Sequence, residues 1–261
     1  MIACQSISLS PDDIHLWLAS DQIDPEKAKS YRLLLNLDER QQEQRFHFEK
    51  DRNRYLVTRA LVRAVLSKYQ AVDPRAWVFS RNAYGRPEID FRSMGAVDLC
   101  FNVSHTAGLI VLGVTRGRAL GVDVENTTAR GNPLDVAEHV FAATELAALA
   151  RLSPEHRLDR FFQYWTFKES YIKARGMGIS IPLQKFSFQL ERDGFVDLEI
   201  APELCDDAKR WQFWQMRPAS EHMLAICAER TGKSSPAILV RHAISLESEQ
   251  VVPVRFCRTS P

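Results

Sequence analysis

No apolar run in this sequence approaches the roughly 20 residues that span a bilayer, so nothing in it reads as a transmembrane helix. The opening stretch, MIACQSISLSPDDIHLWLAS, lacks both a basic start and a continuous apolar segment, and no secretory leader is expected. Neither sign of charge dominates: 34 Lys plus Arg nearly cancel 33 Asp plus Glu, which disfavours a general binder of nucleic acid or membrane surfaces. Cysteine is sparse. The five present (Cys4, Cys100, Cys205, Cys227 and Cys257) are odd in number and lack metal-ligand spacing. A reduced, cytoplasmic setting is the economical reading. A Walker-type glycine-lysine loop is also missing, which lowers a nucleoside-triphosphatase reading.

What is present is an ordinary globular balance, 45% apolar and 26% charged over 261 residues, enough for one large domain or two smaller ones. Charge is uneven locally. Residues 40–86 hold eleven basic side chains against four acids, whereas 121–145 hold five acids and one Arg. The first stretch suits an anion and the second a cation or basic partner, unless both are simply solvated surfaces.

Period and punctuation predict a strand over 12–20 and a helix over 25–35 that starts at Asp24-Pro25. A stronger helix covers 51–69, followed by a strand at 76–81 and a turn at 83–87. Strands follow near 99–103, 109–115 and 119–125, and GLIVLGV has no polar face, as for a strand covered on both sides. Helices are expected over 133–150 and 158–175, the latter stopping at Gly176. Strands at 185–191 and 195–200 flank the Asp193-Gly194 turn, and two more lie near 211–217 and 222–229. From Thr231 the chain reads as an appended tail. The order helix, strand, glycine turn, two strands occurs twice, at an offset drifting from about 105 to about 114 residues. That implies two α+β halves packed as a pseudo-dimer, with a cleft at their seam.

Three places depart from simple patterning. In ALGVDVE, Gly121, Asp123 and Glu125 share one face of a strand. Two carboxylates about 6.6 Å apart repel unless a cation lies between them or the face is solvated. In the helix 158–175, Phe161, Tyr164, Trp165, Phe167, Tyr171 and Ile172 form the apolar arc, with Lys168 near its centre and Glu169 and Lys173 on one margin. Lys amid aromatics wants a carboxylate or a bound phosphate, unless its amine snorkels outward and Glu169 pairs with Lys173. Arg54 lies on the stripe of Val57, Leu61 and Val65, which implies a buried carboxylate or a phosphate; Arg59 and Arg63 lie on another stripe and read as solvated. Ser104 and His105 close a hydrophobic strand, where a hydroxyl, an imidazole and the Arg54 guanidinium would suit one phosphate, unless His105 is simply a satisfied structural residue.

These pieces, in this order, resemble the Sfp-type 4′-phosphopantetheinyl transferases. The family's two signatures match GVDVE (121–125) and WTFKESYIKARGMGI (165–179), and its upstream elements match YGRPEI (84–89) and FNVSHT (101–106). The resemblance implies an α+β fold of two pseudo-twofold-related halves, here 1–117 and 118–230 with an extension at 231–261. Coenzyme A would lie at their junction, the adenine and 3′-phosphate on the first half and Mg²⁺ and the pyrophosphate on the second.

Asp123, Glu125 and Glu169 would hold Mg²⁺, an oxygen-only set suited to a hard cation. Lys173, with Lys168 close by, would neutralise the pyrophosphate. Ser104, His105 and Arg54 would hold the 3′-phosphate, and the backbone of Tyr84, Gly85, Arg86 and Pro87, with the Arg86 side chain, would border the adenine. The serine hydroxyl of an acyl or peptidyl carrier protein would attack the phosphorus bearing pantetheine, releasing adenosine 3′,5′-bisphosphate. Glu169 would take the proton, and Asp123 and Lys173 would share the catalytic work. The chain would act as a cytoplasmic monomer, without nucleic acid or membrane.

One departure stands out: Glu39 and Gln42 occupy positions where family members often carry lysines, so either Arg40 or Arg45 would substitute or phosphate affinity would be weaker. The span 126–145, with Glu138 and Glu145, would help dock the carrier through Leu134, Val136, Val140 and Phe141. Competing readings are another Mg²⁺-dependent phosphoryl-transfer enzyme and a non-catalytic module that binds coenzyme A or carrier proteins.

Overall fold

The computed structural model describes residues 7–95, 97–128, 133–232 and 235–261, the side chains of Pro133 and Ile179 excepted; Cys4 and residues 129–132 lie outside the described residues. In chain order the elements are β1 (Asp13–Ala19), α1 (Pro25–Arg32), α2 (Leu37–Gln44), α3 (Glu49–Tyr69), β2 (Phe79–Arg81), β3 (Pro87–Ile89), α4 (Phe91–Met94), β4 (Leu99–Thr106), β5 (Leu109–Arg116), β6 (Leu120–Asn126), α5 (Ala137–Val140), α6 (Ala143–Ala150), α7 (Pro154–Arg175), β7 (Phe186–Gln189), β8 (Asp197–Ile200), β9 (Trp211–Ala219), β10 (His222–Glu229), β11 (Ala237–Ala243), β12 (Glu249–Val252) and β13 (Phe256–Thr259). The architecture is α+β, as expected.

The chain divides into two bodies. The first comprises Met1–Ser80, Pro87–Gly117 and Pro236–Pro253, and the second Arg81–Arg86, Arg118–Ser235 and Val254–Pro261. The first is built on a five-stranded sheet in the order β12-β11-β1-β5-β4, the second on a four-stranded sheet β13-β9-β10-β6. The same succession occurs twice along the chain, the turn of the first two-stranded hairpin being grouped with the second body: a strand, a long helix, a two-stranded hairpin and a second hairpin that joins the first strand. It runs first as β1-α3-β2-β3-β4-β5 and then as β6-α7-β7-β8-β9-β10, with sheet cores β1-β5-β4 and β6-β10-β9. The repeat read from the sequence thus gains a leading strand. Apolar periodicity sets each core: Leu56, Ala60, Leu61 and Leu66 of α3 are fully buried in the first cluster, and Tyr164, Phe167 and Tyr171 of α7 in the second.

Four expectations are corrected. The helix expected over 25–35 ends at Arg32, and α2 begins at Leu37, because Asn36 forms a capping box with Glu39: Asn36 Oδ1 accepts from the Glu39 N–H at 2.9 Å and Glu39 Oε2 from the Asn36 N–H at 3.1 Å. The helix expected over 133–150 breaks at Phe141 and Ala142, both extended, since the Phe141 ring turns into the core against Phe161 and Tyr164. The supposed tail supplies three strands: β11 lies parallel to β1, β12 pairs with β11, and β13 pairs with β9. Its Ser and Pro residues only punctuate them.

The fourth correction concerns Arg59 and Arg63, read as solvated. The Arg63 side chain is wholly buried; its Nε donates to Glu39 Oε2 at 2.9 Å and its Nη1 to the carbonyls of Pro74 and Trp77, each at 3.0 Å. Arg59 Nε donates to Glu39 Oε1 at 2.7 Å. Burial by itself pushes the Glu39 carboxyl up, but the two guanidinium groups outweigh it and hold the group below the ordinary carboxylate value. Glu39 therefore stands where a lysine was expected because it caps α2 and neutralises two arginines of α3, Arg63 buried and Arg59 half-buried. A lysine there would meet both arginines as a like charge.

Candidate functional site

The second body places β6 directly on α7. Gly121 makes this possible: a Cβ there would lie 2.0 Å from the Ser170 carbonyl oxygen and 2.4 Å from the Ala174 nitrogen, so only glycine lets strand and helix backbones approach this closely. The period of two then turns Asp123 and Glu125 toward the same helix. That decides against a solvated face even though β6 is the edge strand of its sheet, and Asp123 is 3% exposed.

On α7 the contacting groups come from one stripe of four-residue spacing, Trp165, Glu169 and Lys173. Trp165 Nε1 donates to Glu125 Oε1 at 3.0 Å, and Lys173 Nζ donates to Asp123 Oδ1 at 2.6 Å. Helical spacing puts Glu169 between them. Its carboxyl is pushed up, first by burial and then by Asp123, with Lys173 opposing. Glu125 is pushed up to about 7 by burial and then by the Asp123 charge, while the Trp165 hydrogen bond and Lys173 oppose and Glu169 adds repulsion. Three acids thus feel one another around one ammonium. Among the described residues no three His, Cys, Asp or Glu side chains are gathered as a finished metal cage. The donor set is nonetheless all carboxylate oxygen, short of positive charge, and of the kind a hard divalent cation takes.

Lys168 does something different from what was expected. Its side chain is wholly buried, its amine 2.8 Å from Glu145 Oε2, with further bonds to the Leu183 carbonyl at 2.8 Å and the Phe186 carbonyl at 2.7 Å. Three N–H donors meet three acceptors, which leaves none for a phosphate. Of the alternatives open to a Lys amid aromatics, the carboxylate is the one realised. Burial pulls the amine down and pushes the Glu145 carboxyl up, and the pairing opposes both. Glu145 also accepts the Ala142 and Phe188 N–H groups at 2.8 and 2.9 Å, so it is a core strut and not part of an acidic docking surface. Phe141, expected on that surface, is 1% exposed, whereas Val136 is 48% exposed and Leu134 and Val140 are half-buried.

The turn Tyr84–Arg86 also belongs to the second body. Tyr84 is exposed, Gly85 takes φ +87°, and the Arg86 guanidinium is directed at backbone carbonyls of α7 and β6. Pro87 opens β3.

In the first body Arg54 faces inward and finds a carboxylate, its Nε 2.9 Å from Asp21 Oδ2. The same oxygen accepts the Gly108 N–H at 3.3 Å, so Arg54 sits beside the β4–β5 turn just beyond His105. Ser104 is buried and His105 exposed at the end of β4. Arg40 lines a cleft of about 510 Å³ with Arg32, Glu43 and Arg52, and Arg45 is exposed. The expected residues therefore form two groups, one per body.

The sequence reading missed Trp165 as a polar contact and Asp21 and Asp206 altogether. Buried indole N–H groups need acceptors, which was the available signal for the first. Asp206 accepts from Tyr171 Oη and Trp211 Nε1, each at 2.8 Å, and pairs with Arg175 at 3.0 Å, fixing the end of α7. Nothing local in the sequence announces it.

Comparison with known proteins matches both bodies. A profile described as the 4′-phosphopantetheinyl transferase superfamily covers residues 119–227, and one described as 4′-phosphopantetheinyl transferase, N-terminal, covers 24–116. A 4′-phosphopantetheinyl transferase of Bacillus subtilis is 32% identical over 195 residues, 74% of this chain and 82% of the relative. The Bacillus subtilis 4′-phosphopantetheinyl transferase Sfp is 32% identical over 175 residues, 67% and 75% of the two chains. The 4′-phosphopantetheinyl transferase HetI of Nostoc is 27% identical over 227 residues, 87% and 92%.

Proposed function

This chain belongs to the 4′-phosphopantetheinyl transferase superfamily, and from that premise we propose how its residues divide the work. It is a transferase that moves the phosphopantetheine group of coenzyme A to a carrier-protein serine: the serine oxygen bonds to phosphorus, the bond to the departing phosphate oxygen breaks, and adenosine 3′,5′-bisphosphate leaves. The observation that carries the assignment is the convergence of the β6 face, Asp123 and Glu125, upon the Trp165, Glu169 and Lys173 stripe of α7.

Asp123, Glu125 and Glu169 are the residues that would hold Mg²⁺, whose charge would relieve the crowding that pushes Glu125 up to about 7. Bound there, the ion supplies Lewis-acid charge neutralisation for a diphosphate. Lys173 holds Asp123 at 2.6 Å and lies on the margin of α7, where its amine serves both the carboxylate and a phosphate oxygen. Glu169 accepts the serine proton, directly or through a water. Arg54, Ser104 and His105 take the 3′-phosphate, Arg54 being shared with Asp21. The backbone of Tyr84–Pro87 borders the adenine. The carrier docks over exposed Val136 and half-buried Leu134 and Val140.

Mass spectrometry of an apo-carrier protein incubated with this chain, coenzyme A and Mg²⁺ tests the reading. A gain of about 340 Da, the mass of the phosphopantetheinyl group, is expected, and both chelator and Asp123→Ala should abolish it. Uptake of coenzyme A without any gain on several unrelated carriers would mark a binding module instead.

A further inference from the structure

Within the second body the turn Arg81–Arg86 is built around Asn82. Its Oδ1 accepts the Tyr84 and Arg86 N–H groups at 2.9 and 3.0 Å, and its Nδ2 donates to the Gly176 carbonyl at 2.8 Å. The Arg86 guanidinium extends the attachment. Nη1 donates to the carbonyls of Lys173 at 2.8 Å and Ala174 at 3.2 Å, and Nη2 to that of Leu120 at 3.3 Å. The first two carbonyls lie in the last turn of α7, where intrahelical donors run out, the Lys173 carbonyl having only the Gly176 N–H at 3.2 Å, and where the aligned peptide dipoles concentrate negative charge. The third is the first residue of β6. Space at the helix end is tight: a Cβ on Gly176 would meet Arg86 Nη1 and Asn82 Nδ2, each at 3.3 Å. One planar fork thereby ties the strand that carries Asp123 and Glu125 to the end of the helix that carries Glu169 and Lys173. A lysine, whose donors share one tetrahedral nitrogen, is less suited to spanning both elements.

We propose that the Arg86 side chain is a positioning group for phosphopantetheine transfer: it caps α7 from outside the helix and fixes the helix end against β6, so that Lys173 and Glu169 stand at working distance from Asp123, and the guanidinium, unlike the backbone of its turn, does not contact coenzyme A. The proposal rests on the transferase reading above. Misplacement of such groups by about 1 Å costs on the order of 100-fold in rate.

The test compares wild type, Arg86→Gln and Arg86→Lys in carrier modification and in hydrogen exchange at amides 173–178. For Arg86→Gln, kcat is expected to fall by about 10- to 100-fold, with the KM for coenzyme A held within about twofold. Exchange in the last turn of α7 is expected to rise at least about tenfold. Arg86→Lys keeps the charge and loses the fork, so it should recover part of kcat. A raised KM with unchanged kcat, or unaltered exchange at 173–178, overturns the proposal in favour of a ligand contact or a passive surface. If Arg86→Gln does not fold, Arg86→Lys carries the same split at a smaller amplitude, about threefold in kcat. A wild type that folds but modifies no carrier removes the transferase reading, while the exchange measurement still judges the cap.

Discussion

The two bodies share one topology and use it oppositely. In the β1–β5 ladder Trp17 stands opposite Leu112, the fourth residue of β5; in the β6–β10 ladder Asp123 stands opposite Ala225, the fourth residue of β10. The helix over each strand brings a lysine from its last turn to that position. Lys68 lies 5.7 Å from the Trp17 ring centroid and pairs with Glu249 at 3.0 Å, whereas Lys173 bonds Asp123 itself. One position earlier on the same face, His15 bonds Tyr69 at 2.8 Å, where the second body has Gly121 against the helix backbone. The first body has thus filled the place with aromatic side chains and neutralised its cations: Arg63 on Glu39, Arg54 on Asp21, Lys68 on Glu249. The second keeps three carboxyls around one amine. A surplus of like charge in an otherwise well-packed fold distinguishes the second body, and it is the feature on which the proposed cation site rests.

Breaking the comparison at its closest contact should give the largest effect. Gly121→Val gives β6 the kind of side chain a strand ordinarily tolerates, but its Cβ would overlap the α7 backbone. We expect a loss of about 5 kcal/mol or failure to fold, read by chemical denaturation; a stable, active variant would mean that strand and helix are not in contact. Next is Lys168→Met, which leaves Glu145 buried without its partner at a cost of about 4 kcal/mol. The double change Lys168→Met with Glu145→Leu should recover much of that loss, and its KM for coenzyme A should equal that of wild type. A raised KM would return Lys168 to the phosphate site.

The smallest effect belongs to the first body and depends on pH. Burial, and then the Arg241 charge, lower the His15 pKa from 6.5 to about 4, with Asp13 opposing. Above pH 6.5 the imidazole is neutral in both states and costs nothing. Between pH 6.5 and 4 the unfolded chain takes up a proton that the folded chain refuses, so stability falls as pH drops, by about 3 kcal/mol in all. His15→Gln should flatten that part of the pH profile of the melting temperature; an unchanged slope would assign it to other groups.

Most of the scaffold was legible locally. Seven buried positions in a row in β5 follow from GLIVLGV, and α7 ends at Gly176 in the left-handed conformation with φ +68°. The capping box at Asn36 and Glu39 was equally legible but lies in a helix without apolar periodicity, which hid α2. β11 escaped because its partner β1 lies near the other end of the chain, and parallel pairing leaves no turn between the strands to signal it.

Residue types and their spacing determined the α+β class and the two long helices, because periodicity is written along the chain, and the family resemblance singled out the acids at 123, 125 and 169. The destination of each charge was decided only on folding. Lys168, Glu169 and Lys173 follow one another on a single helix, yet one is sealed in the core with Glu145, one is held among carboxyls, and one reaches Asp123. The partner of a buried ion is set by which surfaces meet at 3 Å, and that distance exists only once remote segments have packed.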